Sequence, residues 1–283
     1  MHGTVLVTGA SSGIGAAIAR HLAGRGFRVF GTVRRPDDGA ALERDGGGVT
    51  PLRMDVTDPA SIARARDEVA RAIDTAPLVG LVNNAGIPAA GPLELLPIDE
   101  LRRVLEVNLI GAVAVTQAFL PLLKASHGRI VNITSVAGRA ALPFMGPYAA
   151  SKFGLEAISD SWRRELIPFG VKVIVIEPGS FRSRIWNKVE AMDLSRYRGT
   201  PYEQVMERVR RSSLKTAEHA PPPEKVALAV ERALTARHPP IRVVVAPRFG
   251  TRIWLALPDR WLDWLIARMW RRRTGASTDR GRG

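Results

Sequence analysis

A phenol and an ammonium stand four residues apart in Tyr148-Ala-Ala-Ser-Lys152. On a helix that spacing puts both side chains on one face. A free tyrosine titrates at about 10, too high for a base at neutral pH, but a neighbouring ammonium favours the phenolate. Such a pair can exchange a proton with an alcohol or carbonyl oxygen. Ser135 lies 13 residues earlier, at the end of the apolar run 130–134, across a stretch with Gly138, Pro143, Gly146 and Pro147. In open α/β folds ligands bind at the carboxyl edge of the sheet, so Ser135 can orient a substrate oxygen there, or it can cap a turn. Asn108 is polar in an otherwise apolar helical run and could serve either backbone or chemistry. Asn83-Asn84-Ala85-Gly86 closes another apolar run with amides able to hold a cofactor-facing loop.

A second set of residues suits phosphate. Thr8-Gly9-Ala10-Ser11-Ser12-Gly13-Ile14-Gly15 follows the first apolar run. Gly9 can take the turn, Gly13 lets backbone approach a phosphate, and Gly15 lets helix and strand pack closely. A pyrophosphate would then sit on the first N–H groups of the helix. An NAD-binding chain places Asp or Glu about 20 residues further on, for the ribose hydroxyls. Thr32 stands there instead, followed by Val33-Arg34-Arg35, with Asp37 and Asp38 too late unless a loop brings one back. Arginines bind a 2′-phosphate by charge-assisted hydrogen bonds, so NADP(H) is the expected cofactor, with Arg34 the better ligand and Arg35 the second. Asp55-Val56 closes a third run; the carboxylate suits an adenine amino group or the cap of the helix starting at Asp58-Pro59.

The elements that must carry these residues alternate. Apolar runs over 4–8, 28–33, 49–54, 78–82, 129–134, 171–177 and 241–246 read as strands. Helical stretches to about Arg25 and over 59–73, 98–124, 148–169 and 222–236 separate most of them. Strands and helices in that alternation give βαβ units and a parallel sheet buried on both faces. With right-handed crossovers the fold is an α/β doubly wound parallel sheet, a single-domain three-layer Rossmann sandwich. The composition breaks after Pro247, so residues 1–250 are expected as the catalytic domain, with a substrate lid over 183–220, and 251–283 as a helix and basic tail.

Composition narrows the function classes. The 283 residues are 46% hydrophobic and 24% charged, too apolar for a disordered chain. Without cysteine there is no disulfide framework, thiolate metal site or cysteine nucleophile, and no metal site is expected. The 41 Lys and Arg against 27 Asp and Glu leave +14, and residues 241–283 carry 10 Arg, 3 Asp and four of the six Trp. A concentrated Arg/Trp tail points to a membrane or partner rather than nucleic acid, which is not expected. The opening MHGTVLVTGA lacks a basic segment and a long apolar core, so a cytoplasmic location is expected. The uncharged stretch 107–123, 17 residues long, is short for a membrane span and reads as a buried helix.

Taken in order and spacing, Thr8-Gly-x-x-x-Gly-x-Gly15, Asp55, Asn83-Asn-Ala-Gly86, Asn108, Ser135, Tyr148-x-x-x-Lys152 and Pro178-Gly179 resemble the single-domain branch of the short-chain dehydrogenase/reductase family, over about residues 3–247. The resemblance implies Tyr148 as general acid/base and Ser135 as the residue that positions substrate. It implies that Lys152 bonds the nicotinamide ribose and lowers the Tyr148 pKa, and that Asn108 holds a water extending the proton relay. Gly9, Ser11, Ser12, Gly13, Ile14 and Gly15 would hold the pyrophosphate, and Arg34 and Arg35 the 2′-phosphate. Asp55, Val56, Asn84, Ala85 and Gly86 would hold the adenosine side and loop, and Pro178, Gly179 and Ser183 the nicotinamide. Relatives use the helices 98–124 and 148–169 to form dimers or tetramers, so a homo-oligomer is expected. Relatives that only sense or scaffold commonly lose the Tyr or Lys; a non-catalytic NADP(H)-binding protein is the alternative.

The lid carries Ile185, Trp186, Met192, Tyr197, Tyr202, Val205 and Met206, which could line an apolar pocket or pack the lid down. With Leu142, Phe144 and Met145 just before Tyr148, and no obvious charged partner, the expected substrate is a lipophilic alcohol or carbonyl compound. From Pro258, helical phasing gathers Trp261, Leu262, Leu265, Ile266 and Met269 on one face, with Asp259, Arg260, Asp263 and Arg271 opposite and Trp264 and Trp270 near the edges. That pattern suits an interfacial helix making peripheral membrane contact through 251–273, or a helix folded on the core or a second subunit. The tail resembles those of the retinol and hydroxysteroid dehydrogenase branch. Residues 271–283 have no apolar pattern and are expected to be disordered.

Overall fold

The computed structural model describes residues 3–45, 47–73, 76–183, 185–246 and 257–274. The chain divides into two compact units, Met1–Pro247 and Arg248–Gly283. In the first, seven strands form one parallel sheet: β1 (Thr4–Val7), β2 (Arg28–Val33), β3 (Val49–Arg53), β4 (Leu78–Asn83), β5 (Arg129–Ile133), β6 (Lys172–Pro178) and β7 (Arg242–Val245). Their order is β3-β2-β1-β4-β5-β6-β7. The order reverses between β1 and β4, and the crevice outside the strand ends there is the ligand-binding position of such sheets.

Side-chain alternation along each strand explains the three layers. Val5 and Val7 point to a core shared with α1 (Gly13–Gly24) and α9 (Glu224–Thr235), through Ile18, Leu22, Val226 and Val230. Leu6, between them, points to the opposite core with α3 (Pro59–Ala72) and α5 (Gly111–Ala125), through Ile62, Val69, Val115, Phe119 and Leu123. Both faces of β1 are therefore covered, and its four residues are all buried. α2 (Pro36–Asp45) follows β2 and places Leu42 in the first core. Its polar start, Pro36-Asp37-Asp38-Gly39, masks it in the sequence, which is why no helix was expected there.

The stretch expected as one helix over 98–124 is three pieces. α4 (Ile98–Leu105) runs into a π turn over Glu106–Ile110, which continues as α5. The run 107–115 is apolar at nearly every position, so the shift of face that a π turn brings leaves no mark in the sequence. By length and composition 98–125 could cross a membrane. Its inner face is instead packed on the sheet, with Val115, Phe119 and Leu123 at zero exposure. α6 (Gly146–Glu165) carries Tyr148 and Lys152, with Pro147 in its first turn. The stretch 183–220, expected as a substrate lid, contains α7 (Ile185–Glu190) and α8 (Glu203–Glu218). The second unit contains α10 (Asp259–Thr274). Trp254 and residues 275–283 lie outside the described residues, as do the side chains of Ile185, Met269, Trp270 and Arg271.

Candidate active site

The turn after β1 is built by two threonines and two glycines. Gly9 is left-handed at φ 68°, and a Cβ there would meet Ala85 Cα at 2.9 Å. A Cβ at Gly15 would strike the Gly9 carbonyl and the Asn84 amide. The loops after β1 and β4 can close on each other only without those side chains. Thr8 Oγ1 accepts from the Asn84 and Ala85 amides at 2.9 and 3.0 Å, and Asn84 Nδ2 donates to the Thr8 and Gly9 carbonyls at 2.9 and 3.2 Å. Ser12 precedes α1 in extended conformation, and its side chain makes no cap hydrogen bond. Ser11 and Ile14 flank it, both partly exposed.

Thr32 occupies the place of the ribose carboxylate, yet it is buried and its hydroxyl accepts from Gly9 N at 3.1 Å. It braces the glycine turn from behind. Neither threonine's bracing role was read from sequence, because both depend on the register of β1 against β2 and β4. Arg34 and Arg35 are exposed at the end of β2. Asp38 does return, but onto Arg35, which donates from Nε and Nη2 at 2.9 and 3.1 Å.

Asp55 does not cap the following helix. Asp58 does so, accepting from Ala60 N at 2.9 Å, while Asp55 accepts from Thr57 N and Oγ1 at 3.0 and 2.8 Å. Burial pushes the Asp55 carboxyl up, but those bonds and the Arg34 charge outweigh it and hold the carboxyl below its usual value. Val56 packs where a Cβ on Gly111 would sit, at 2.9 Å.

At the other end, Ser135 and Tyr148 meet. Ser135 stands near enough to act on the Tyr148 phenol, while its Oγ donates to the Pro178 carbonyl at 3.5 Å and accepts from Ala137 N at 3.1 Å. Lys152 is buried and donates to the Ile133 carbonyl at 2.9 Å, with Nζ 5.8 Å from the Tyr148 ring centre. The expected lowering of Tyr148 by Lys152 is not what these surroundings produce. Burial raises the phenol above its ordinary value, and the Ser135 bond opposes this without reversing it. Burial takes Lys152 down to about 8, against the pull of Glu156.

Asn108 lies inside the π turn and is buried. Its Oδ1 accepts from Ile87 N at 2.8 Å, and its Nδ2 donates to the Ile87 carbonyl and Ser151 Oγ at 3.0 and 3.1 Å. Its side chain thus fixes the loop after Gly86 to α6. π turns frequently mark functional sites. Behind it runs a chain of buried amides and hydroxyls. Asn83 Nδ2 donates to Thr116 Oγ1 and Asn132 Oδ1, both at 2.9 Å, and Asn132 Nδ2 donates to Ser159 Oγ at 2.8 Å. Asn132 and Ser159 escaped sequence reasoning; the detectable signal was a lone amide in an apolar strand.

Gly179 N donates to the Val245 carbonyl at 2.8 Å, tying Pro178-Gly179 to β7. Ser183 is partly buried on the way into α7, and Trp186 Nε1 donates to the Phe181 carbonyl at 2.9 Å. Leu142 is exposed, while Phe144 and Met145 are partly so. Phe144 is left-handed at φ 67°, an unusual conformation for a bulky residue, and its carbonyl accepts from Gly91 N at 2.7 Å. Its ring meets Tyr202 of the lid edge-on at 6.3 Å, and Tyr202 donates to Glu94 at 2.6 Å. Tyr197 and Met206 are almost fully buried, so they pack the lid rather than line an open pocket.

Residues 3–194 match the short chain dehydrogenase family. An NADPH-dependent 3-dehydrocapnine reductase of Ornithobacterium rhinotracheale is 38% identical, over 91% of this chain and 94% of that protein. Human retinol dehydrogenase 5 is 37% identical, over 93% and 88% respectively. A metagenomic short-chain oxidoreductase solved with NADP superposes with a TM-score of 0.68 at 30% identity, covering 88% of this chain and 98% of that one. Fold and site define an oxidoreductase on a doubly wound sheet. The chain belongs to the short-chain dehydrogenase family.

Proposed function

We propose that this protein is an NADP(H)-dependent oxidoreductase that interconverts an alcohol and a carbonyl on a lipophilic substrate, with Tyr148 as the acid/base. The observation that carries this is the buried Lys152 ammonium, held at the Ile133 carbonyl 5.8 Å from the Tyr148 ring centre, with Ser135 at the adjoining strand end. The residues present fit the cofactor. The uncapped first turn of α1 offers N–H groups for a pyrophosphate, the walls at Gly9 and Gly15 admit no side chain, and Arg34 is exposed for a 2′-phosphate. When bound, the nicotinamide supplies or accepts the hydride. Ser135 orients the substrate oxygen, and Tyr148 gives that oxygen a proton in reduction or takes one in oxidation. Lys152, held by the Ile133 carbonyl, anchors the ribose. Asn108 keeps the loop after Gly86 against α6. The names of the reductase and the metagenomic oxidoreductase support NADP(H). That of the retinol dehydrogenase supports an apolar substrate.

Leu142, Phe144, Met145 and Trp186 form the apolar rim we assign to substrate. Fluorescence titration with NADPH and NADH, followed by a screen of steroids, retinoids and medium-chain ketones, tests the assignment. NADPH binding at least tenfold tighter, with turnover of an apolar carbonyl, is expected; binding of neither nucleotide would overturn it. We further assign α10 to a lipid surface, since Trp261 and Trp264 are 63% and 48% exposed and Arg268 stacks 5.3 Å from the Trp264 ring. Flotation with liposomes should be lost on deleting residues 251–283, and unchanged flotation removes the helix from this role.

A further inference from the structure

Beneath Lys152 lies a buried charge cluster for which the hydride and proton steps give no use. Glu156 is one helical turn past Lys152 on the inner face of α6, and Glu177 sits at zero exposure near the end of β6. Arg242, from β7, reaches both: its Nε donates to Glu156 Oε2 at 2.8 Å and lies 3.1 Å from Glu177 Oε1. Arg242 Nη2 reaches Asp160 at 3.4 Å, and Arg139 approaches Glu177 at 3.7 Å. Glu156 Oε1 and both Glu177 oxygens have no hydrogen-bond partner among the described residues, so Arg139 and Arg242 serve Glu177 by charge rather than by bond geometry. Arrays of this kind are expensive to bury and add little stability over apolar packing. Their position under a catalytic-site ammonium gives them a different use.

We propose that Glu156 is a positioning residue for Lys152: its carboxylate, one turn along the same buried face of α6, keeps the ammonium charged, and Arg242 of the last strand holds that carboxylate and partly offsets its charge. This rests on the proposed role of Lys152 in the oxidoreductase. An ammonium removed from water loses its charge readily unless an anion stands near. Of the charges around Lys152, that of Glu156 is the one that counters burial. Glu177 is less able to do so, because burial and the nearby Glu156 push its carboxyl up, with Arg139 and Arg242 only partly opposing this. The other charged groups facing the pair are Asp160 on α6, Arg242 on β7 and Arg139 before α6, together with the titratable Tyr148. α4 and the π turn, packed against α6, carry Asp99, Glu100, Arg102, Arg103 and Glu106, and no ion pair joins them to Lys152 or Glu156 among the described residues. Arg242 thus makes the last strand part of the active site without touching a substrate.

The test uses NMR titration of the whole protein with 13Cε-labelled lysine. The chain has six lysines, so the Lys152 resonance can be assigned by its loss in Lys152→Arg. In the unaltered protein Lys152 should titrate at about 8. In Glu156→Gln the midpoint should fall by about one pH unit. In Arg242→Gln, where the Glu156 charge is no longer offset, it should rise. An unchanged midpoint in a folded Glu156→Gln protein would overturn the proposal. If that variant does not fold, an unchanged or lowered midpoint in Arg242→Gln overturns it instead. No substrate or nucleotide is present, so the result is separable from the proposed reaction. A Lys152 that obeys these shifts in a protein without turnover breaks the reaction and keeps Glu156; an indifferent Lys152 in an active enzyme does the reverse.

Discussion

The wall of the site carried by β4, β5 and α6 is tied from within, whereas the wall carried by the lid is tied at the surface. Behind Tyr148 the fastenings are Asn83, Thr116, Asn132, Asn108, Ser151 and Ser159, nearly all without exposure. Their bonds join β4, β5, α5 and α6 from inside, with Asn83 Oδ1 left without a partner among the described residues. Facing them, the lid is held by Tyr202 on Glu94 and Arg196 on Glu100, both exposed pairs, over the packed anchors Tyr197 and Met206. Exposed pairs are weak and screened by salt. A fixed wall suits groups that must meet the reacting atoms within a fraction of an ångström. A loosely fastened wall suits admission and release of a bulky apolar molecule. Under the proposed function, this difference would separate precision of chemistry from admission of substrate.

The contrast can be broken at several points. Tyr148→Phe should lower kcat by about 10²–10⁴-fold while nucleotide affinity stays within about twofold, measured by turnover and fluorescence titration. Retained turnover would remove Tyr148 as the acid/base. Arg34→Gln should weaken NADPH roughly ten- to hundredfold and leave NADH unchanged, because a bond to a charged group is lost for one nucleotide only. Equal loss for both would assign Arg34 to the adenosine rather than the 2′-phosphate. Asn132→Ala removes one of two bonds from each of the Asn83 amide and the Ser159 hydroxyl, and should lower unfolding stability by about 2 kcal/mol in urea melts. A smaller loss than that of an exposed lid substitution would mean the inner wall is not the tighter one. Tyr202→Phe should change KM for bulky substrates no more than about threefold, with kcat and melting temperature unmoved. A drop in kcat would make the lid contact part of the chemistry and dissolve the distinction.

Legibility followed the same divide. Residues whose role depends on local spacing were readable. The glycine turn, the i and i+4 pair of Tyr148 and Lys152, and the apolar strands all appear where the sequence places them. Residues whose role depends on register between distant strands were not. Thr32 was readable only as a missing carboxylate, although its hydroxyl supports Gly9. Asp55 left two uses open, and only the position of Asp58 in the helix start excluded one. The π turn is hidden because 107–115 is apolar on nearly every side, so the phase shift of one extra residue breaks no pattern. In the lid, aromatic composition could not tell Tyr197, which is buried, from Tyr202, which meets Phe144 at the rim.

The strand order carries a consequence for how the molecule is made. From β4 onward each new strand adds to the edge left by the one before, and β7 is last. A chain leaving the ribosome N-terminus first can lay down β1 to β6 in sequence. Throughout that time Glu177 has Arg139 alone beside it, and Glu156 awaits the guanidinium of residue 242. The sheet is therefore laid down before the buried charge cluster of Glu156 and Glu177 is complete, and that cluster closes only when the final strand docks.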